Sequence, residues 1–203
     1  MKKLIIISDI DDVLRNLGKN IIYSLNLYYH GENWGDYHYK NQKVIDFFKW
    51  YIKQPFSNEL FDNCEYNIEY VDYLNSLNNI ELHFLSSNSN KKARITTIDD
   101  LKLLFGSEIE KNIHFVDSWN EKYPFVVKNK NIFGSDLNKM IFIDDRPDTC
   151  LMFHENGIQS YWYQKYMSTK SVKKWGKDNN NFYNIPRGET DGFKNFLTIN
   201  NTK

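Results

Sequence analysis

The sequence predicts an α/β fold built on a parallel, Rossmann-like sheet flanked by helices. Short continuous apolar runs recur along the chain, as they do in strands covered on both faces. Stretches with helical spacing lie between them, the alternation expected of βαβ units. A third observation places chemistry at the end of one strand. In "LIIISDIDDVL", residues 4–14, Asp9, Asp11 and Asp12 crowd behind an apolar run. Like charges at the end of a buried strand repel and resist desolvation unless something cancels them.

Taken in order, Lys3–Ser8 reads as the first strand, Ile80–Leu85 as the second, Ile113–Val116 as the third, Met140–Ile143 as the fourth and Gln159–Tyr163 as the fifth. Tyr66–Asn78 has Ile68, Val71, Tyr73 and Leu74 near helical spacing. Lys92–Phe105 is a helix candidate stopped by Gly106. Pro147–Asn156 carries Pro in its first turn and Gly157 just past its end. Residues 18–65 break the rhythm, since a βαβ unit needs one crossover helix and far more chain than that precedes Ile80. The segment is rich in aromatics, and Asn41–Lys53 has the helical spacing Val44, Ile45, Phe47, Phe48, Tyr51. The expected organisation is a core of residues 1–17 and 79–165, a small, mainly helical cap over 18–78 inserted after the first strand, and a polar tail over 166–203. The tail reads as loop or partly disordered, with Phe182, Phe193, Phe196 and Leu197 available to dock on the body.

Composition narrows the function classes. The chain has 203 residues, 41% of them hydrophobic, which suits one domain with an insert. Lys and Arg total 26 and Asp and Glu total 26. Strong duplex nucleic-acid binding is not expected from that balance, because such proteins carry a basic excess. No apolar stretch reaches the length of a membrane span. Two cysteines, Cys64 and Cys150, without a C-x-x-C pair fit a reduced, cytoplasmic protein without a zinc knuckle.

Ligands of open α/β sheets bind outside the carboxyl ends of the strands. The residues just after each strand are therefore the candidates: Asp9, Asp11 and Asp12 after the first, Ser86, Ser87 and Asn88 after the second, Asp144 and Asp145 after the fourth. A lysine of the third crossover reaches the same edge. Lys122, which opens a helix just after the third strand, is preferred, with Lys128 and Lys130 as alternatives. Carboxylates at this density need a metal, and hard oxygen ligands select Mg²⁺. A Mg²⁺ framed by carboxylates, with positions open to phosphate oxygens, is a phosphoryl-transfer site.

D-x-D-x-V after a hydrophobic strand, then an apolar run ending in Ser, then Lys, then an apolar strand ending in Asp-Asp resembles the haloacid dehalogenase (HAD) phosphohydrolase superfamily. The match covers roughly 3–17, 80–94 and 113–163. The resemblance implies that Asp9 is the nucleophile and forms an aspartyl-phosphate. It implies that Asp11 is the general acid and later the base, that Ser86 and the turn after it bind phosphate, and that Lys122 neutralises the site. It further implies that Asp144 binds Mg²⁺ with Asp9 and the Asp11 carbonyl, beside Asp145. The family usually has Gly at the position of Asp12, a tight turn whose geometry Asp tolerates better than most residues. Val13, "IDDRPDT" and the insert resemble 5′(3′)-deoxyribonucleotidases, and "FIDDRPDTCLMFHENGIQSYWYQ" is similar to the 3′-phosphatase domain of phage polynucleotide kinases. The implied substrate is a small phosphomonoester, a (deoxy)nucleoside monophosphate. The alternatives are a phosphate on a nucleic-acid 3′ end, or a catalytically inactive phosphate-binding module. Trp34, Tyr37 and Phe56 of the insert are candidate platforms for a base.

Overall fold

The computed structural model describes residues 3–28, 42–54, 59–62, 64–165, 182 and 184–201. Strand β1 (Leu4–Ser8) is followed by helices α1 (Leu17–Tyr28), α2 (Gln42–Tyr51), α3 (Glu59–Asp62) and α4 (Ile68–Ser76). Then come β2 (Ile80–Ser87), α5 (Lys91–Phe105), β3 (Ile113–Val116), α6 (Lys122–Lys128), α7 (Lys130–Phe133), β4 (Met140–Asp144), α8 (Pro147–Glu155) and β5 (Gln159–Tyr163). A short β6 (Arg187–Gly188) and helix α9 (Thr190–Asn201) follow. The strands form one parallel sheet in the order β3-β2-β1-β4-β5-β6. No helix among the described residues is long and apolar enough to cross a membrane.

The apolar runs are continuous because the sheet is covered twice. Successive residues point to opposite faces. Ile6, Phe84, Ile141, Ile143, Tyr161 and Tyr163 enter one core cluster, and their neighbours Ile7, Leu85, Phe142 and Trp162 enter the other. The first cluster is closed by α4, α5 and α9, the second by α6, α7 and α8. Each large apolar side chain so buried contributes roughly 1.5–3 kcal/mol by leaving water.

Two sequence expectations meet a different packing. Helix α4 falls within the expected cap, yet Tyr70, Val71 and Leu74 pack in the cluster of the sheet itself. Helices α1, α2 and α3 instead build a separate cluster from Leu17, Ile21, Leu25, Val44, Phe47 and Phe61, which meets the core at Ala93 of α5. In the segment read as a polar tail, α9 is an ordered helix that buries Phe193 and Leu197 against the sheet. Its aromatic and aliphatic residues at 193, 196 and 197 have the spacing of a helix face, diluted by Asn, Thr and Lys between them.

At the far edge, His83 of β2 and His114 of β3 stack at 5.4 Å over Phe133, with His83 Nδ1 and His114 Nε2 3.2 Å apart. Burial, and then the charge of His83, pushes His114 down from 6.5 to about 4. The unfolded chain takes up its proton near 6.5 and the folded chain only near 4, so the unfolded state binds more protons between them. Stability contributed by a neutral His114 is therefore lost as pH falls through that window. Urea unfolding at pH 7 and pH 5 should show a larger drop for the wild type than for His114→Phe. Parallel drops in the two proteins would remove the histidine pair as the cause.

Candidate active site

The register of the sheet brings the two leading carboxylates together. Ser8 lies opposite Ile143 in the β1–β4 pair, and the Asp9 amide donates to the Ile143 carbonyl at 2.8 Å. The next residue of each strand, Asp9 and Asp144, thus emerges side by side where the strand order reverses, the usual ligand position in an open sheet. Lys122, at the start of α6, is fully buried between them: its Nζ lies 2.9 Å from Asp9 Oδ1 and 2.7 Å from Asp144 Oδ2. Lys128 and Lys130, the other two candidates, are exposed.

The electrostatics follow from that burial. Burial pushes the Asp9 carboxyl up to about 8, Lys122 opposes the shift, and Asp144 and Asp11 add to it. For Lys122, burial works against the charge, but Asp144 and Asp9 outweigh it and hold the ammonium above its ordinary range. The second Asp144 oxygen, Oδ1, accepts the Arg146 amide at 2.8 Å. Asp145 is buried beside it, and its carbonyl accepts the indole N–H of Trp162 at 2.9 Å.

Asp11 is held differently. Its Oδ1 accepts Arg15 Nε at 2.6 Å and its Oδ2 lies 3.4 Å from Ser86 Oγ. Ser86 thus faces Asp11, while Ser87 and Asn88 line the cavity described below. The Asn88 side-chain Nδ2 is buried without a hydrogen bond.

Asp12, the departure from the usual Gly, has a left-handed φ of 57°. Its Oδ1 accepts the Gly18 amide at 2.7 Å, in the first turn of α1. A carboxylate at a helix N-terminus satisfies an orphan N–H and meets the positive end of the helix dipole. The unexpected charge of the turn is therefore an anchor for the first helix of the insert.

Above these groups lies a cavity of about 520 Å³. Asp9, Asp11 and Asp145 form part of its floor, Ile21, Val44, Phe48 and Phe61 of the insert form an apolar wall, and Trp119 and Arg146 stand at another side. Arg146 lies over the Trp119 ring at 4.6 Å and forks onto both Asp148 oxygens, at 3.2 and 2.7 Å. Among the described residues, Phe48, Phe61 and Trp119 are the cavity aromatics; the sequence reading marks Phe48 only as part of a helix face and singles out neither of the others. Trp34, Tyr37 and Phe56, which it named, lie outside the described residues.

One carboxylate oxygen from each of Asp9, Asp144 and Asp145 lies within 4.8 Å of the other two, and all three residues are buried. The donors are all hard oxygens, and Asp9 Oδ1 has no hydrogen bond, only its ion pair with Lys122. That set fits a Mg²⁺ ion. The Asp11 carboxylate does not join it, being drawn to Arg15.

The acidic pair bridged by a buried lysine, the second aspartate and the serine at the strand ends, and the helical insert above them define a HAD-type phosphatase. The chain belongs to the NLI interacting factor-like phosphatase family, whose sequence profile matches residues 5–177. Solved structures share the fold. A haloacid dehalogenase-like hydrolase from Streptococcus pneumoniae superposes with a TM-score of 0.61 at 12% identity, covering 98% of this chain and 99% of its own. A Clostridium difficile protein superposes with a TM-score of 0.58 at 17% identity, covering 97% and 99%. A HAD family hydrolase from Deinococcus radiodurans, solved with bound phosphate and sodium, gives 0.57 at 12% identity, covering 95% and 93%. A search of curated proteins finds no sequence relative.

Proposed function

We propose that the protein is a Mg²⁺-dependent phosphomonoester hydrolase that works through an aspartyl-phosphate on Asp9 and acts on (deoxy)nucleoside monophosphates. The observation that carries this reading is the buried Asp9–Lys122–Asp144 bridge, whose Asp9 lines a cavity wide enough for a nucleotide. Asp9, Asp144 and Asp145 would hold the Mg²⁺, which supplies Lewis-acid stabilisation of phosphate oxygens. Lys122 opposes the burial that raises the Asp9 carboxyl and so favours its anionic, nucleophilic form. An Asp9 oxygen attacks phosphorus as the bond to the leaving oxygen breaks, and Asp11 delivers a proton to that oxygen. Asp11 then takes a proton from water as the water oxygen attacks phosphorus, releasing phosphate and restoring Asp9. Ser87 and Asn88 line the space for phosphate. Phe48, Phe61 and Trp119 offer faces for a base. The free thiols of Cys64 and Cys150 suit a cytoplasmic enzyme.

A second reading, removal of a 3′ phosphate from a nucleic-acid end, is favoured by one feature. A groove of about 550 Å³ carries Lys53, Lys91 and Lys92 and shares Ile52, Ser89 and Asn90 with the cavity. Neighbouring phosphates of a strand would lie well there.

A phosphate-release screen over nucleotides, sugar phosphates and 3′-phosphorylated oligonucleotides tests both readings. Nucleoside monophosphates should be turned over with Mg²⁺. Activity should vanish in EDTA, return with Mg²⁺ and remain poor with Ca²⁺, whose looser, larger shell misplaces the attack. Preference for the oligonucleotide ends would move the assignment to the second reading. Preference for sugar phosphates would sink the nucleotide assignment, and full activity in EDTA the metal.

A further inference from the structure

We propose that Arg15 is a positioning residue: it fixes the Asp11 carboxyl against the reacting oxygen and ties that alignment to the wall of the insert through Phe61. The inference rests on the role given to Asp11 above and names what holds that residue in place.

Arg15 is fully buried, yet it lies outside the cavity lining and bonds no substrate-facing group except Asp11. Its Nε grips Asp11 Oδ1 at 2.6 Å, while Nη1 and Nη2 are buried without hydrogen bonds. A buried guanidinium with so little satisfaction is expensive to keep. An ordinary structural arginine in a core would be bonded on several nitrogens. The arrangement is selective for one carboxylate oxygen and leaves the other beside Ser86.

The second half of the proposal comes from what else touches Arg15. Its guanidinium carbon lies 5.1 Å from the centre of the Phe61 ring, and Phe61 belongs to α3 and to the cavity wall. Taken out of water, a cation–π contact of this kind holds the ring and the guanidinium together more firmly than at an exposed site. Arg15 also sits where the chain leaves the core for the insert and returns. It forms an isolated antiparallel bridge with Tyr66 of the returning segment, and on either side the Asn16 amide donates to the Glu65 carbonyl at 2.9 Å and the Asn67 amide to the Leu14 carbonyl at 2.7 Å. A shift of the insert is therefore transmitted to Arg15, and through its Nε to Asp11.

The test uses two small esters without a remote part, so it is independent of nucleotide recognition. p-Nitrophenyl phosphate releases a stable anion, whereas glycerol 2-phosphate must release an alkoxide and needs the proton from Asp11. Rapid-quench and steady-state kinetics are compared for wild type, Arg15→Gln, Arg15→Lys, Phe61→Leu and, as reference, Asp11→Asn. Arg15→Gln should lower kcat for glycerol 2-phosphate by about 10²-fold, the scale of general-acid catalysis, with KM changed little and the p-nitrophenol burst near the wild-type rate. Arg15→Lys, which restores the charge, should recover about a tenfold part of that loss, and Phe61→Leu should show a smaller loss of the same kind. Equal losses on both esters in the rate of phosphoenzyme formation, in Arg15→Gln and Arg15→Lys, would overturn the proposal, as would an unchanged kcat for glycerol 2-phosphate. If Arg15→Gln does not fold, Arg15→Lys alone decides, by whether its loss is confined to the alkyl ester. Asp11→Asn separates the two levels. If it fails to discriminate between the esters, the acid role of Asp11 falls; if it discriminates and the Arg15 variants do not, only the role of Arg15 falls.

Discussion

Asp9→Asn is expected to abolish turnover of every phosphate ester, by a factor on the order of 10⁴ or more, as loss of a covalent nucleophile does elsewhere. An amide does not form the phosphoenzyme and is a weaker ligand for a hard cation. The same variant should fold at least as well as the wild type in metal-free buffer at neutral pH. Burial holds the Asp9 carboxyl at about 8 in the folded chain against 3.8 as its ordinary value. A raised folded pKa contributes stability that is present below 3.8 and lost as pH rises through about 8. At pH 7 most of that contribution is gone for Asp9, and a neutral amide of the same shape does not lose it. Mass spectrometry of enzyme quenched during turnover should find phosphate on Asp9 in the wild type and none in Asp9→Asn. A variant that still turns over, or phosphate found on another residue, would remove Asp9 from the role of nucleophile.

Lys122→Met should also be inactive, but for a different reason and with the opposite effect on folding. Without the ammonium, Asp9 and Asp144 face one another in a buried site with their cation removed. Breaking a buried ion pair from one side costs about 3–5 kcal/mol. The pull that Lys122 exerts on Asp9 is lost as well, so the Asp9 carboxyl rises further and its anionic form becomes scarcer still at neutral pH. The urea midpoint of Lys122→Met should fall accordingly, and Mg²⁺ should restore part of the stability but little activity. Were Lys122→Met as stable as wild type, the bridge would not be what neutralises the carboxylates.

These two residues differ in how plainly the sequence announces them. Asp144 stands directly after the apolar run Met140–Ile143 and Asp9 one residue past Leu4–Ile7, with Ser8 between, and strands buried on both faces leave such carboxylates at the carboxyl ends of the sheet. Lys122 is less visible, since the sequence also offers Lys128 and Lys130. What separates it is position: it opens α6 and is buried, while the others lie further along and are exposed. Arg15 carries no such signal. It occupies an irregular turn without periodicity, and only the folded chain reveals that its partner is four residues earlier rather than solvent. The packing of α4 was hidden for a related reason. The spacing of Tyr70, Val71 and Leu74 declares a helix face but not which of two clusters receives it. Asp12 looked like an extra charge because its partner, the Gly18 amide, is a backbone group that sequence patterns do not display.

The first core cluster joins Ile6 of β1 to Phe193 and Leu197 of α9, residues far apart in the order of synthesis. Translation proceeds at about 5–20 residues per second, and β1 must wait for β2, then for β4, and finally for the helix that closes the same cluster against Tyr161 of β5. Until that helix leaves the ribosome, the emerging chain carries an apolar sheet face without its last cover, the kind of surface on which nascent chains stick to one another or are held by chaperones. A message truncated before residue 193 would yield every catalytic side chain named above and no finished core to hold them, so its product should be removed by quality control rather than persist as a weakened enzyme.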